Sequence, residues 1–129
     1  MYENAIREIA RLKHPQVLVP LATRSAVNFL LRYFVPPNLV CMNTNRQELL
    51  SLVNGCYKMP ADFLREGGRV SLLSRFDMAY LDSLEPEYWY IAYDYVIKGG
   101  YLIGRVKSPD ERFERWAKAV NYHDGVCLL

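Results

Sequence analysis

Apolar positions recur at helical spacing from the start of the chain. Ala5, Ile6, Ile9, Ala10 and Leu12 share one side, opposed by Glu3, Arg7, Glu8 and Arg11, which predicts a first helix. It stops before Pro15, because the residue preceding a proline is pushed out of the α region. A longer face follows. Leu18, Leu21, Ala22, Ser25, Ala26, Phe29, Leu30 and Tyr33 step alternately by three and one, with Arg24, Asn28 and Arg32 opposite. That spacing predicts one continuous second helix, with Pro20 in its first turn and Pro36-Pro37 ending it.

The pattern then loosens. Asn54-Gly55 favours a type I′ hairpin pairing Leu52 with Tyr57 and Leu50 with Met59, since both central residues of that turn need positive φ. The competing reading is a short helix opened by Thr44-x-x-Gln47 and closed at Gly55. Arg69-Val70-Ser71-Leu72 alternates like a strand, and Ser74-x-x-Asp77 opens a short helix with Phe76, Ala79, Tyr80 and Leu84 inward. Glu85-Pro86 breaks it. Tyr88 to Tyr93 is rich in strand formers, and Gly99-Gly100 turns a second hairpin that pairs Ile97 with Leu102. Ser108-Pro109-Asp110-Glu111 then offers a cap, a first-turn proline and a capping-box acid, with Phe113, Trp116, Ala117 and Val120 on the buried face. Asn121 and Gly125 end or redirect that helix, leaving the apolar Val126-Cys127-Leu128-Leu129.

Helices first, then a sheet with one inserted helix, then a helix make an α+β domain rather than an alternating βαβ one. The expected fold is N-terminal helices packed with a small antiparallel sheet of hairpins, a C-terminal helix and a tail. Residues 1–35 are the helical part, 46–107 the mostly hairpin sheet, 108–120 the helix and 121–129 the tail, all in one domain spanning 1–129. A chain of this size buries enough surface to fold without disulfide or metal. Cys41, Cys56 and Cys127 are an odd count without C-x-x-C, which fits reduced thiols in a cytoplasmic setting. The start of the chain has no apolar stretch of a targeting peptide, and no run approaches a membrane span.

Charge is uneven. Residues 1–75 hold ten Lys/Arg against five Asp/Glu, and residues 76–129 hold six against nine, so the halves carry about +5 and −3 within a net +2. A basic patch for a phosphate backbone, a ring whose subunits attract end to end, or plain solvated charge each accounts for this. The chemical inventory is thin. His14 reads as a solvated turn residue, and His123-Asp124 near Cys127 only sketches a catalytic pair. No nucleotide-loop, nucleophile-elbow or zinc motif occurs, and neither Gly67-Gly68 nor Gly99-Gly100 leads directly into a helix that would cradle phosphate. The aromatic run Tyr88 to Tyr95 has the form of a base-stacking strand, but Glu85, Glu87 and Asp94 give it the wrong sign, so a core-plus-interface sheet is the better account. No catalytic residue, cofactor site or metal site is expected.

Asn54-Gly55-Cys56-Tyr57-Lys58-Met59-Pro60-Ala61-Asp62-Phe63-Leu64, followed by Ile97-Lys98-Gly99-Gly100-Tyr101-Leu102 and Ser108-Pro109-Asp110, resembles the head–tail connector (adaptor) family of tailed bacteriophages. The resemblance departs where Glu87 separates Pro86 from Tyr88-Trp89, and where a helical signal follows Asp110. It implies a non-enzymatic virion neck protein, made in the host cytoplasm. Its partners would be a homo-oligomeric ring, a portal protein and a tail or second neck protein, with double-stranded DNA passing through without sequence-specific binding. Val126, Cys127, Leu128 and Leu129 would then be a docking tail, and Arg24 and Arg32 would face the DNA channel. The alternative reading is a small nucleic-acid-binding module using the basic N-terminal half.

Overall fold

A computed structural model describes residues 2–66 and 74–129. The chain begins with α1 (Glu3–Ala10), then β1 (Val17–Val19), α2 (Arg24–Leu30), a 3₁₀ turn at Pro36–Asn38, β2 (Leu39–Met42), α3 (Arg46–Ser51) and β3 (Tyr57–Met59). It continues through α4 (Phe63–Glu66), β4 (Phe76–Tyr80), α5 (Pro86–Tyr95), β5 (Val96–Ile103), α6 (Glu111–Ala119) and β6 (Val126–Leu128). The strands form one sheet in the order β3-β2-β1-β4-β5-β6. All neighbouring pairs are parallel except β5–β6, which is antiparallel.

This is an α/β fold, not the expected α+β fold of antiparallel hairpins. Helices cover both faces of the sheet. Ile6, Ile9, Val27, Leu30 and Leu49 pack with Val17, Val19, Leu39, Cys41, Met78 and Tyr80 on one side. Phe63, Trp89, Ala92, Phe113 and Ala117 pack with Leu18, Met42, Phe76, Leu102 and Cys127 on the other. Strand residues therefore alternate between two apolar layers, and β1 and β2 read as unbroken apolar runs.

That double burial explains the largest corrections. The helix expected from Leu18 onward is β1, a turn, and then α2. Val17, Leu18 and Val19 are all buried, and Pro20 follows the strand instead of opening the helix. Thr23 caps α2, its Oγ1 accepting from the Ala26 amide at 3.2 Å. Ser25, expected inward, is exposed, whereas Val27 is buried. The helix expected from Ser74 is the central strand β4. The strand expected from Tyr88 is α5, where Pro86 occupies the first turn rather than breaking a helix. Pro86, Trp89, Ala92 and Tyr95 are its buried stripe, so three-residue spacing overrode the strand propensity of its aromatic residues. The Trp89 indole N–H donates to the Leu84 carbonyl at 3.3 Å.

Neither predicted hairpin forms. Residues 46–51 are helical, as in the competing reading, but the cap is Asn45, whose side chain accepts from the Glu48 amide at 3.1 Å. Tyr57, Lys58 and Met59 pair in parallel with Val40, Cys41 and Met42. Gly99-Gly100 lies within β5, where the register against β4 shifts between Phe76 and Met78. A β-carbon on Gly100 would stand 2.5 Å from the Asp77 carbonyl oxygen, so the bulge requires glycine there. The expected strand at Arg69–Leu72 and the Gly67-Gly68 turn lie outside the described residues. The first helix is present over Glu3–Ala10 with Ala5, Ile6 and Ile9 buried, but Leu12, expected on the same face, lies beyond it and is exposed. The last helix is also present, with Asp110 rather than Ser108 as its cap, accepting from the Phe113 amide at 2.8 Å.

Candidate functional site

In an open α/β sheet, ligands sit beyond the carboxyl ends of the strands where the strand order reverses. Here that point lies between β1 and β4. From β1 the chain steps outward through β2 to β3, then returns across β1 to continue through β4, β5 and β6. A crevice of about 350 Å³ opens there, lined by Tyr2, Thr23, Ser25, Phe29, Tyr80, Asp82 and Ser83 together with Ala26.

The segments that follow the strands into the crevice are tied to one another. The turn after β1, Pro20-Leu21-Ala22-Thr23, is tied to β2 by the Ala22 amide, which donates to the Met42 carbonyl at 2.8 Å. The segment after β4 is zipped to the segment after β5. Leu81 N–H donates to the Ile103 carbonyl at 2.7 Å, Ser83 N–H to the Arg105 carbonyl at 2.7 Å, and Arg105 N–H to Asp82 Oδ1 at 2.9 Å. Gly104, at φ +137°, allows this approach, since a β-carbon there would stand 2.4 Å from the Asp82 nitrogen. Asp82 is thus fixed by one oxygen at the mouth of the crevice.

The walls are aromatic. Phe29 stacks on Tyr80 with centroids 5.3 Å apart, and Tyr2 meets Phe29 edge-on at 6.3 Å. Burial, and then a hydrogen bond with Tyr2, raise the Tyr80 phenol above its ordinary range. It stays a neutral hydroxyl at physiological pH and serves as a wall rather than as a base. No Lys, Arg or His is among the described lining residues, and Asp82 carries the only charged side chain there.

The usual nucleotide apparatus is altered at two places. The first strand–helix turn contains no glycine, and Pro20 has no N–H to offer a phosphate. Dinucleotide-binding folds carry an acid about 20 residues further on that holds the ribose 2′-hydroxyl; Asn43 occupies the corresponding end of β2. Asn43 is 7% exposed. Its Nδ2 donates to the Ala22 carbonyl at 2.9 Å and its Oδ1 accepts from the Asn45 amide at 2.9 Å. Both halves of the amide are therefore committed to joining the two turns.

The residues expected from the sequence to matter fall elsewhere. Val126, Cys127 and Leu128 form β6 on the chain's own sheet, with Cys127 buried and Leu128 57% exposed. Arg24 begins α2 and Arg32 follows it, both exposed. His123 and Asp124 contact each other at 3.2 Å in an exposed turn, and the Cys127 thiol donates instead to the Val120 carbonyl at 3.3 Å. Among the described residues no three His, Cys, Asp or Glu side chains converge as a metal site, and no helix is long and apolar enough to cross a membrane. The sequence pattern hides the crevice residues, because β1 and β4 carry apolar spacing that fits a helix and so conceals their carboxyl ends. The one available signal was the polar Asn43-Thr44-Asn45 after the apolar Leu39–Met42 run.

Among solved structures, the chain is similar to P. horikoshii TYW2 in complex with MeSAdo, with a TM-score of 0.57 and 13% identity. The likeness is one of fold. It covers 96% of this chain and 58% of that one, so this chain spans well under two-thirds of the matched protein. No protein-family model matches the sequence, and no curated protein matches it. The α/β fold overturns the head–tail adaptor reading and the nucleic-acid module kept beside it. It equally removes the basis for expecting no enzymatic role, because a sheet of this topology opens a ligand crevice where its strand order reverses.

Proposed function

We propose that this chain is a methyltransferase-like domain that binds an adenosyl sulfonium of the S-adenosylmethionine class in the crevice between β1 and β4. The observation that carries the proposal is the electrostatic character of the crevice. Its described lining offers one carboxylate, Asp82, two stacked rings, Phe29 and Tyr80, and no Lys, Arg or His, with the exposed Arg105 the cation within electrostatic reach of Tyr80. A sulfonium is attracted by both the carboxylate and the ring faces. A pyrophosphate is repelled by the first and finds no glycine-lined amides in the Pro20–Thr23 turn. The fold likeness, and the MeSAdo in the matched protein, a neutral thioether that carries the same adenosyl group, support an adenosyl ligand.

The sulfonium supplies an activated methyl group, whose transfer to a nucleophile leaves the bonding electrons on sulfur as a neutral thioether. The chain's own residues bind and orient. Asp82 complements the positive charge, Thr23 and Ser25 offer hydroxyls at the crevice wall, and the aromatic wall excludes water. With Asn43 committed to Ala22 and Asn45, the ribose is not held by the acid that dinucleotide folds use.

Calorimetric titration of the purified chain with S-adenosylmethionine, S-adenosylhomocysteine, MeSAdo and NAD⁺ tests this. The sulfonium should bind most tightly, the neutral thioethers more weakly and NAD⁺ not at all. Asp82→Asn keeps the acceptor for Arg105 N–H and should weaken sulfonium binding about tenfold, a cost of roughly 1.4 kcal/mol. Binding of NAD⁺ in preference to the sulfonium, or no heat with any adenosyl ligand at millimolar concentration, would reject the reading.

A further inference from the structure

A second cleft lies at the same end of the sheet, beyond β2 and β3. It has a volume of about 470 Å³ and is lined by Thr44, Arg46, Pro60, Ala61, Asp62 and Arg65. A smaller hollow of about 210 Å³ adjoins it, sharing Arg46 and Pro60 and adding Leu49, Leu50 and Lys58. Together they make a groove with a basic end and an apolar end. The Asn43–Ala22 hydrogen bond separates it from the crevice, since Thr23, next to Ala22, lines one and Thr44, next to Asn43, lines the other.

We propose that this groove binds a phosphate monoester carried on a small organic body, with the phosphate between Arg46 and Arg65 and the body against Leu49, Leu50 and Pro60. Among the described residues neither guanidinium is engaged in a hydrogen bond or an ion pair, although both belong to the cleft lining. Asp62 is partly occupied locally, its Oδ1 accepting from the Leu64 amide at 3.0 Å. Lys58 next door donates to the Leu52 carbonyl at 3.0 Å, which holds its charge beside the groove. Two planar guanidinium forks match the oxygens of a phosphate, and a monoester near neutral pH carries close to two negative charges for them. The Thr44 hydroxyl adds a neutral donor. Leu50 is 77% exposed, an apolar side chain beside a basic cleft, and a planar or apolar body would cover it. These arguments are independent of the sulfonium reading.

The test is an amide-resolved NMR titration at constant ionic strength with inorganic phosphate, ribose 5-phosphate and AMP. All three should give saturable shifts at Thr44, Arg46 and the Ala61–Arg65 amides, with AMP about tenfold tighter than inorganic phosphate through its apolar contact. Equal affinity of AMP and ribose 5-phosphate would overturn the role given to Leu50 and the apolar end. Arg46→Gln and Arg65→Gln should each weaken AMP about tenfold, and Arg46→Lys should recover only part of the loss. Asp62→Asn should act in the opposite direction and tighten AMP, which a merely structural role would not produce. Arg32→Gln should leave binding unchanged. Shifts that fail to saturate, or undiminished AMP binding by the Arg46→Gln/Arg65→Gln double variant, would overturn the site. Neither result bears on the calorimetry with S-adenosylmethionine, so the two proposals fail separately.

Discussion

Replacing Asn43 by Asp would install the kind of acid that dinucleotide-binding folds carry at the end of the second strand, and here it should be harmful. The side chain is 7% exposed and has two partners of opposite demand, the Ala22 carbonyl 2.9 Å from Nδ2 and the Asn45 amide 2.9 Å from Oδ1. A carboxylate can still accept from Asn45 but cannot donate to Ala22, whose own residue is fully buried. The unsatisfied carbonyl alone costs about 1–3 kcal/mol. Holding a charge against it in a buried site brings the total to roughly 3–5 kcal/mol at pH 7. The sign of the pH dependence follows from the same contact. A protonated carboxyl donates to Ala22 as the amide does, so folding raises the pKa of the new acid above its unfolded value. The folded state then binds the extra proton, and stability is greatest at low pH and lost as pH rises through that raised pKa. Urea denaturation of both proteins at pH 4.5 and pH 7 measures it. The destabilisation relative to the parent should fall to about 1 kcal/mol at the lower pH. An equal difference at both pH values, or a loss below about 0.5 kcal/mol at pH 7, would refute the buried hydrogen-bond argument.

Gly104→Ala should cost at least about 3 kcal/mol, from backbone strain at φ +137° and a β-carbon 2.4 Å from the Asp82 nitrogen; a thermal midpoint within a degree of the parent would contradict this. Burial pushes the Cys127 thiol up to about 11 and, with Cys56 close by, the Cys41 thiol up to about 12. Both should resist iodoacetamide at pH 8 in the native protein and react once it is unfolded in urea, as read by mass spectrometry. Rapid native labelling of Cys127 would show that β6 does not stay closed.

The sequence by itself determined the elements whose signals are local. α1 and α6 each bury one face and expose the other, so their spacing identified them before any partner was known. The short helix at Arg46–Ser51 was among the readings its residues allowed, and its cap lay one residue from the one proposed. The tertiary structure decided the sheet. Val17–Val19 and Phe76–Tyr80 are covered by helices on both faces, which removes the alternation that would mark them as strands and leaves a wholly apolar run in the first and Asp77 as the one polar residue in the second, patterns that fit a helical face equally well. Parallel pairing also joins residues far apart in the chain, Val17 with Met78 and Val40 with Tyr57, so no local turn announces it. At Gly99-Gly100 and Asn54-Gly55 glycine was rightly a point of irregular backbone, yet only the neighbouring strands decided between a bulge, a loop and a hairpin. The candidate site inherited that uncertainty. Thr23, Asp82 and Asn43 are ordinary polar residues in the sequence, and they converge only because β1, β2 and β4 end side by side at the point where the order of the strands reverses.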